Sequence, residues 1–352
     1  MDMRRIGIFT KMDMVGGSEF RAVEMANAIS QIPGYQSVLM CGKALPAKLE
    51  CLLDPAVELR EGIFSDPDIE AFYSAGHLLV INTDSRDFTT AAYWQGKSPA
   101  HTHAVDLSRI RQMTFLFNYI VSPACTLPEL RQHVRDVRII TANGKFFHEI
   151  SQQKRYEAVR HYPRIQIESP IHPRVAVPKS FSNRIRLGMH SLPAPGKWNE
   201  QLPDLIQCLN ARHKERILWD FMGMPREMRS RIRADNVVFR QEFSTPVSEF
   251  LSGIDVFLFF LSWKREEPWA RSAGEALMSG CPVITTARGG NVEQVIHGNT
   301  GFLCKTLEDF VVACTKLVES RPLLDVMGQN ARHAARHFAS DAVARRFLEF
   351  IR

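Results

Sequence analysis

The sequence predicts an α/β protein of two Rossmann-like domains, and three observations predict it. Short apolar runs that resemble buried strands alternate with helical patterns in both halves of the chain. The alternation is interrupted once, by a proline-rich stretch. A length of 352 residues also exceeds what one hydrophobic core usually organises.

In the first half the strand-like runs are Ile6 to Thr10, Ser37 to Met40, Leu78 to Asn82, Phe115 to Ser122 and Val137 to Thr141. Their spacing, with helical segments between them, implies a parallel sheet. Between the first two, Ala22, Met25, Ala26 and Ile29 recur at i, i+3, i+4, i+7, which places them on one face of a crossover helix. From Tyr162 to Asn183 four prolines forbid a regular helix and suggest an extended connector. Strand-like runs resume at Ile185 to Met189, Ile217 to Met222, Val237 to Phe239, Val256 to Leu261 and Pro282 to Thr285. The expected division is residues 1–175, residues 176–335 and a terminal helix within 336–352, with Val343, Phe347 and Ile351 on one face.

Composition removes several function classes. With 45% hydrophobic and 23% charged residues, the chain matches an ordinary soluble globular protein. Its seven cysteines are scattered and form no C-x-x-C pair, so neither a zinc clamp nor a disulfide framework is expected and a reducing cytosol is implied. The first residues lack the apolar core of a signal peptide. The most apolar run, Val256 to Trp263, is less than half of the ~20 residues that a membrane helix needs. A cytoplasmic protein is therefore expected. Net charge is +6, but residues 101–180 hold 12 Lys and Arg against 6 Asp and Glu. That basic segment reads as a solvated face, or as one that an acidic acceptor or an anionic membrane surface would attract at the membrane periphery. Without an aromatic stacking platform or a recognition motif, it does not read as a nucleic-acid interface.

Two places carry the features of a ligand site. In the first, Gly16 and Gly17 precede Ser18 and a helix, an arrangement that suits either a phosphate approached by backbone amides or a simple capped turn. It is neither a G-x-G-x-x-G nor a Walker loop. The second spans residues 264–302, KREEPWARSAGEALMSGCPVITTARGGNVEQVIHGNTGF. Glu267 lies before a helix that Gly280 ends, and Glu275 lies within it, eight positions on. Each carboxylate can accept from a vicinal diol, so the pair suits sugar and ribose hydroxyls. A buried strand, a Gly289-Gly290 loop and a helix start at Asn291 follow, again offering amides to phosphate.

This second segment resembles the signature of retaining GT-B glycosyltransferases, above all glycosyltransferase family 4 (glycosyl transferases group 1): E-x7-E, then G-x-P-V, then G-G-x-x-E. The resemblance implies two domains facing a central cleft, with the terminal helix crossing back to the first. It implies that Glu267 contacts the transferred sugar near the reacting centre, that Glu275 binds the ribose, and that Gly289, Gly290 and Asn291 meet the diphosphate or sugar through backbone amides. In the first domain it relates Gly16 and Gly17 to the family's glycine loop, and it puts His103, with His101 as second choice, near the catalytic centre. Lys197 matches a diphosphate-binding lysine. The arginine that accompanies it in the family is missing, because Met189, His190 and Ser191 occupy its neighbourhood. His190 could replace it, or Arg265 or Arg271 could reach the phosphate from the next loop.

The implied reaction moves a sugar from a nucleoside diphosphate sugar, a UDP-sugar first, to a glycan, lipid-linked or small-molecule acceptor. Neither metal nor cofactor is expected, and retention of configuration and a role in polysaccharide biosynthesis are. A non-catalytic sugar-nucleotide binder, an inactive partner subunit and an epimerase of similar fold are the rival readings.

Overall fold

A computed structural model describes residues 3–10, 12, 16–62, 75–81, 109–117, 134–152, 161–172 and 183–352. These form two compact units: Met1–Pro170 together with Ser340–Arg352, and Ile171–Ala339.

Among the described residues the first unit is built on a seven-stranded sheet: β1 (Arg4–Thr10), β2 (Tyr35–Cys41), β3 (Glu58–Arg60), β4 (His77–Ile81), β5 (Gln112–Phe117), β6 (Asp136–Thr141) and β7 (Arg164–Gln166). The order is β3-β2-β1-β4-β5-β6-β7 and every pairing is parallel. All five predicted strands in this half overlap observed ones; Asn82 and residues 118–122, the ends of two of them, lie outside the described residues. Burial on both faces produces the near-continuous apolar runs that betrayed them. Helix α1 (Gly17–Ser30) carries the predicted face, with Ala22, Ala26 and Ile29 fully buried. It is more enclosed than a one-sided amphipathic helix, for Arg21, Glu24 and Asn27 are buried too. The buried Arg21 guanidinium donates to the carbonyls of Ile167 and Glu168 at 2.8 and 3.0 Å. Burial lowers its pKa to about 9, an effect that the nearby Glu168 opposes.

The chain returns to this unit after crossing the second. The terminal helix, Ser340–Phe350, packs on α1 and places Val343, Ala344 and Phe347 in the same core as Ile6, Ile8 and Leu79. Arg346 reaches Glu168 at 2.5 Å, and Arg138 donates to the Phe350 carbonyl. Beneath it, His77 is buried against Phe347 with its Nε2 2.7 Å from Thr114 Oγ1.

The second unit holds β8 (Ile185–His190), β9 (Ile217–Met222), β10 (Val237–Arg240), β11 (Val256–Phe259), β12 (Val283–Thr286) and β13 (Gly301–Cys304). Their order, β10-β9-β8-β11-β12-β13, is all parallel and reproduces the doubly wound 3-2-1-4-5-6 arrangement. Mid-strand Asp220 is buried, and Arg240 holds it through two bonds of 2.8 and 3.0 Å. A buried carboxylate is tolerable only with such pairing. Among the described residues no helix is long and apolar enough to cross a membrane.

Candidate functional site

In a doubly wound sheet the direction of strand addition reverses once, and the loops leaving the two strands at that point splay apart into a ligand crevice. In the second unit the reversal lies between β8 and β11. The loops that follow them, residues 191–201 and 260–270, contain Lys197 and Glu267. Buried Asn199 joins these loops: its N–H donates to the Phe260 carbonyl at 2.9 Å and its Nδ2 to the Leu261 carbonyl at 2.6 Å. Ser262 N–H donates to Gly196 O at 3.1 Å, and Trp263 Nε1 to Gln201 Oε1 at 2.7 Å. Trp198 is buried edge-on to Phe221 with its Nε1 on the Leu192 carbonyl. Trp198 and Trp263 therefore brace the loops, and core packing rather than base stacking accounts for Trp198.

Bracing of this kind fixes a charged cluster. Lys197 Nζ lies 2.7 Å and Arg265 Nε 2.6 Å from the same oxygen, Oε1 of Glu267. Glu267 is buried while both cations stay partly exposed. Its backbone is equally constrained, because Gly290 N–H donates to the Glu267 carbonyl at 2.8 Å. A Cβ on Gly290 would sit 1.9 Å from the Pro268 carbonyl oxygen. Gly289, at φ +56°, would place one 2.5 Å from the Glu267 oxygen. The glycine pair is thus needed for the 287–291 loop to lie directly against the Glu267 segment. Asn291 N–H is engaged with the Arg288 carbonyl at 3.3 Å, so the amides of Gly290 and Asn291 are both spent within the chain. Asn291 also donates from Nδ2 to the Thr286 carbonyl at 3.2 Å, and its buried Oδ1 has no partner.

The second carboxylate sits on the helix Arg271–Met278, which ends as expected before Gly280 in the left-handed region, at φ +73°. The helix start has no side-chain cap of its own. Buried Gln294 supplies a substitute, accepting from Ala270 N–H at 3.0 Å and donating to the Ala270 carbonyl at 2.9 Å. One turn in, Arg271 Nε contacts Glu275 Oε1 at 2.7 Å, an i, i+4 pair of two largely buried side chains.

His190 closes this group from the end of β8. Its ring lies edge-on to Phe250 and Phe257, and its Nε2 is 3.6 Å from Glu275 Oε2, beyond hydrogen-bond distance, with no other partner. Burial lowers its pKa to about 4, and the Arg271 charge adds to that. The imidazole is neutral near pH 7, so its approach to Glu275 is not an ion pair. The sign of the linkage follows. An unfolded chain binds the proton with ordinary imidazole affinity, while the folded one refuses it until about pH 4. Stability is therefore full above about pH 6.5 and should fall as pH drops toward 4, with His77, whose pKa burial also lowers to about 4, acting in the same window. Chemical denaturation at a series of pH values checks this; a midpoint unchanged between pH 7 and 5 would contradict it.

In the first unit Gly16 N–H donates to the carboxylate of Glu19 at 3.0 Å. A carboxylate thus already occupies the start of α1, which disfavours a second anion there. Gly17 has open space where a Cβ would be. His101 and His103 lie outside the described residues. No group of three or more His, Cys, Asp or Glu among the described residues could hold a metal ion. Reading the sequence missed Gln294 and Asn199, buried amides whose partners are backbone groups distant along the chain; neither carries a local signal.

Comparisons with known proteins bear on the fold and on the segment that contains these residues. Residues 226–334 match the family described as Glycosyl transferases group 1, and the segment from Glu267 to Glu293 falls inside them. YtcC of Bacillus subtilis is 38% identical over 81 residues, 22% of this chain and 19% of that protein. The matched stretches span about a fifth and a third of the two curated relatives found. Among solved structures, Anabaena Alr3699/HepE in complex with UDP and glucose is similar over 99% of this chain and 98% of its own, at 16% identity and a TM-score of 0.69. A glycosyltransferase from Rickettsia africae is similar over 100% and 98%, at 15% identity and a TM-score of 0.73. The fold is that of the GT-B glycosyltransferases, as the E-x7-E segment led us to expect.

Proposed function

We propose that this chain, a GT-B fold carrying a glycosyl transferases group 1 segment, moves a sugar from a nucleoside diphosphate sugar to an acceptor hydroxyl. One observation carries the reading: Lys197, Arg265 and Glu267 meet at the switch point of the second unit, with Glu275 one helix turn beyond the Glu267 loop. Cleavage of the donor leaves a diphosphate whose growing negative charge must be met by fixed positive groups. Lys197 is such a group; in this reading Glu275 accepts from ribose hydroxyls and Glu267 serves the reacting sugar. UDP is the favoured nucleotide, because structural neighbours are complexes with UDP or UDP-glucose. Retention of configuration, a role for His103 or His101 in orienting the acceptor or contacting the donor sugar, and a glycan, lipid-linked or small-molecule acceptor, met in part at the membrane periphery, belong to the same proposal.

The test is nucleotide release from UDP-, GDP- and dTDP-sugars with and without candidate acceptors. Acceptor-dependent release is expected with at least one donor. Binding of nucleotide without release across the panel would favour instead the non-catalytic reading, which the buried neutral His190 makes the most concrete rival.

A further inference from the structure

Glycosyl transfer requires strong positive charge at the diphosphate, yet the position where the resemblance expects a guanidinium, at the end of β8, holds His190. That ring cannot supply it, being buried between two phenylalanines and neutral. Arg271 is committed to Glu275 at 2.7 Å, and its side chain is only 15% exposed.

Arg265 is paired as closely, with Glu267 at 2.6 Å, but it is the more exposed of the two. Its side chain is 32% exposed and Lys197's is 20%, while the carboxylate they share is 7% exposed. Two positive charges thus face one negative charge at the switch point, leaving an excess that a diphosphate would complement. The loop after β8 is shaped for this side chain. Gly196 is in the left-handed region at φ +75°, and a Cβ there would lie 3.2 Å from Arg265 Cδ. The Arg265 Nη1 donates to the Pro195 carbonyl at 3.1 Å, and its backbone N–H to Ser262 O at 2.9 Å. A guanidinium carries five N–H donors in a fork that matches phosphate oxygens, and these contacts use only part of them.

Resting on the reading above, we propose that Arg265 replaces the missing strand-end arginine: with Lys197 it forms the diphosphate-binding pair of the donor site, supplied from the loop after β11 instead of from β8, with Glu267 as the common anchor of both cations. The charge has been relocated across the switch point, from one of its two loops to the other.

Calorimetric titration of the wild-type protein, Arg265→Ala and Arg265→Lys with UDP, GDP and dTDP, and with the three corresponding nucleosides, tests this. For the diphosphate that the wild type binds most tightly, Arg265→Ala should raise Kd by about tenfold or more, with lysine recovering part of the loss. The nucleoside should shift by less than about twofold, since a lost phosphate contact leaves base and ribose binding unaltered. Should Arg265→Ala fail to fold, Arg265→Lys is read in its place, with a diphosphate-specific loss of about threefold expected. A diphosphate Kd close to wild type, or equal losses for diphosphate and nucleoside, would overturn the relocation and leave the glycosyl-transfer reading standing. Failure of the wild type to bind any of the three diphosphates would overturn both.

Discussion

Alanine at position 267 is expected to lower turnover at saturating donor by roughly two to three orders of magnitude, the scale on which one preorganised electrostatic group acts. Nitrogens of Lys197 and Arg265 both lie within 2.7 Å of one Glu267 oxygen. Without that carboxylate the two cations repel each other, by about 3 kcal/mol at such separations near a protein surface. They would swing apart and lose the geometry that the braced loops impose. Glu267→Gln keeps the shape but not the charge, so it should resemble alanine in kcat. A Kd for nucleotide that moves far less than kcat is the expected signature, measured by steady-state release alongside equilibrium binding. Turnover within a few-fold of wild type for both variants would remove Glu267 from the reacting centre.

Removing Glu275 should be felt in stability as well as in binding. Its pair with Arg271 is largely buried, with side chains 7% and 15% exposed. Loss of one partner from a buried pair costs about 3 kcal/mol or more, because the remaining charge stays desolvated. For a unit of this size that is a fall in Tm of roughly 6 °C or more. Nucleotide Kd should rise several-fold in Glu275→Ala. The double variant Glu275→Ala with Arg271→Met separates the two effects: it should regain much of the stability and none of the affinity. Restored affinity would mean that Glu275 acts on the fold alone.

Much of this architecture was legible in the sequence, and the strands that escaped are short ones at sheet edges. The interior parallel strands announce themselves as apolar runs. Ile217–Met222 is found as read, and the others begin within three residues of where they were read. The three strands that were missed, Glu58–Arg60, Arg164–Gln166 and Gly301–Cys304, are all edge strands of three or four residues. Glu58–Arg60 and Arg164–Gln166 are only half-buried and carry charged or polar side chains at two of three positions, so no apolar run marks them; Gly301–Cys304 is apolar and largely buried, and the sequence offers no such reason for it. The run from Val256 was read too long: the strand stops at Phe259 because Asn199 takes the carbonyls of Phe260 and Leu261. At the site, the spacing of Glu267 and Glu275 was visible because both flank one helix start. Their partners were not. Lys197 is 70 residues from Glu267, and His190 is further still from Glu275. Only the parallel neighbourhood of β8 and β11 brings those pairs together.

The terminal helix has one more implication, for the order in which the protein can assemble. Val343 and Phe347 are wholly enclosed in the core of the first unit, yet they are translated after all of the second. A nascent chain emerging from the ribosome therefore possesses every strand and helix of its second unit while the first still lacks a wall. Its α1 surface must wait, apolar and uncovered, for residues 340–350. The first unit therefore becomes whole only once the second has been synthesised.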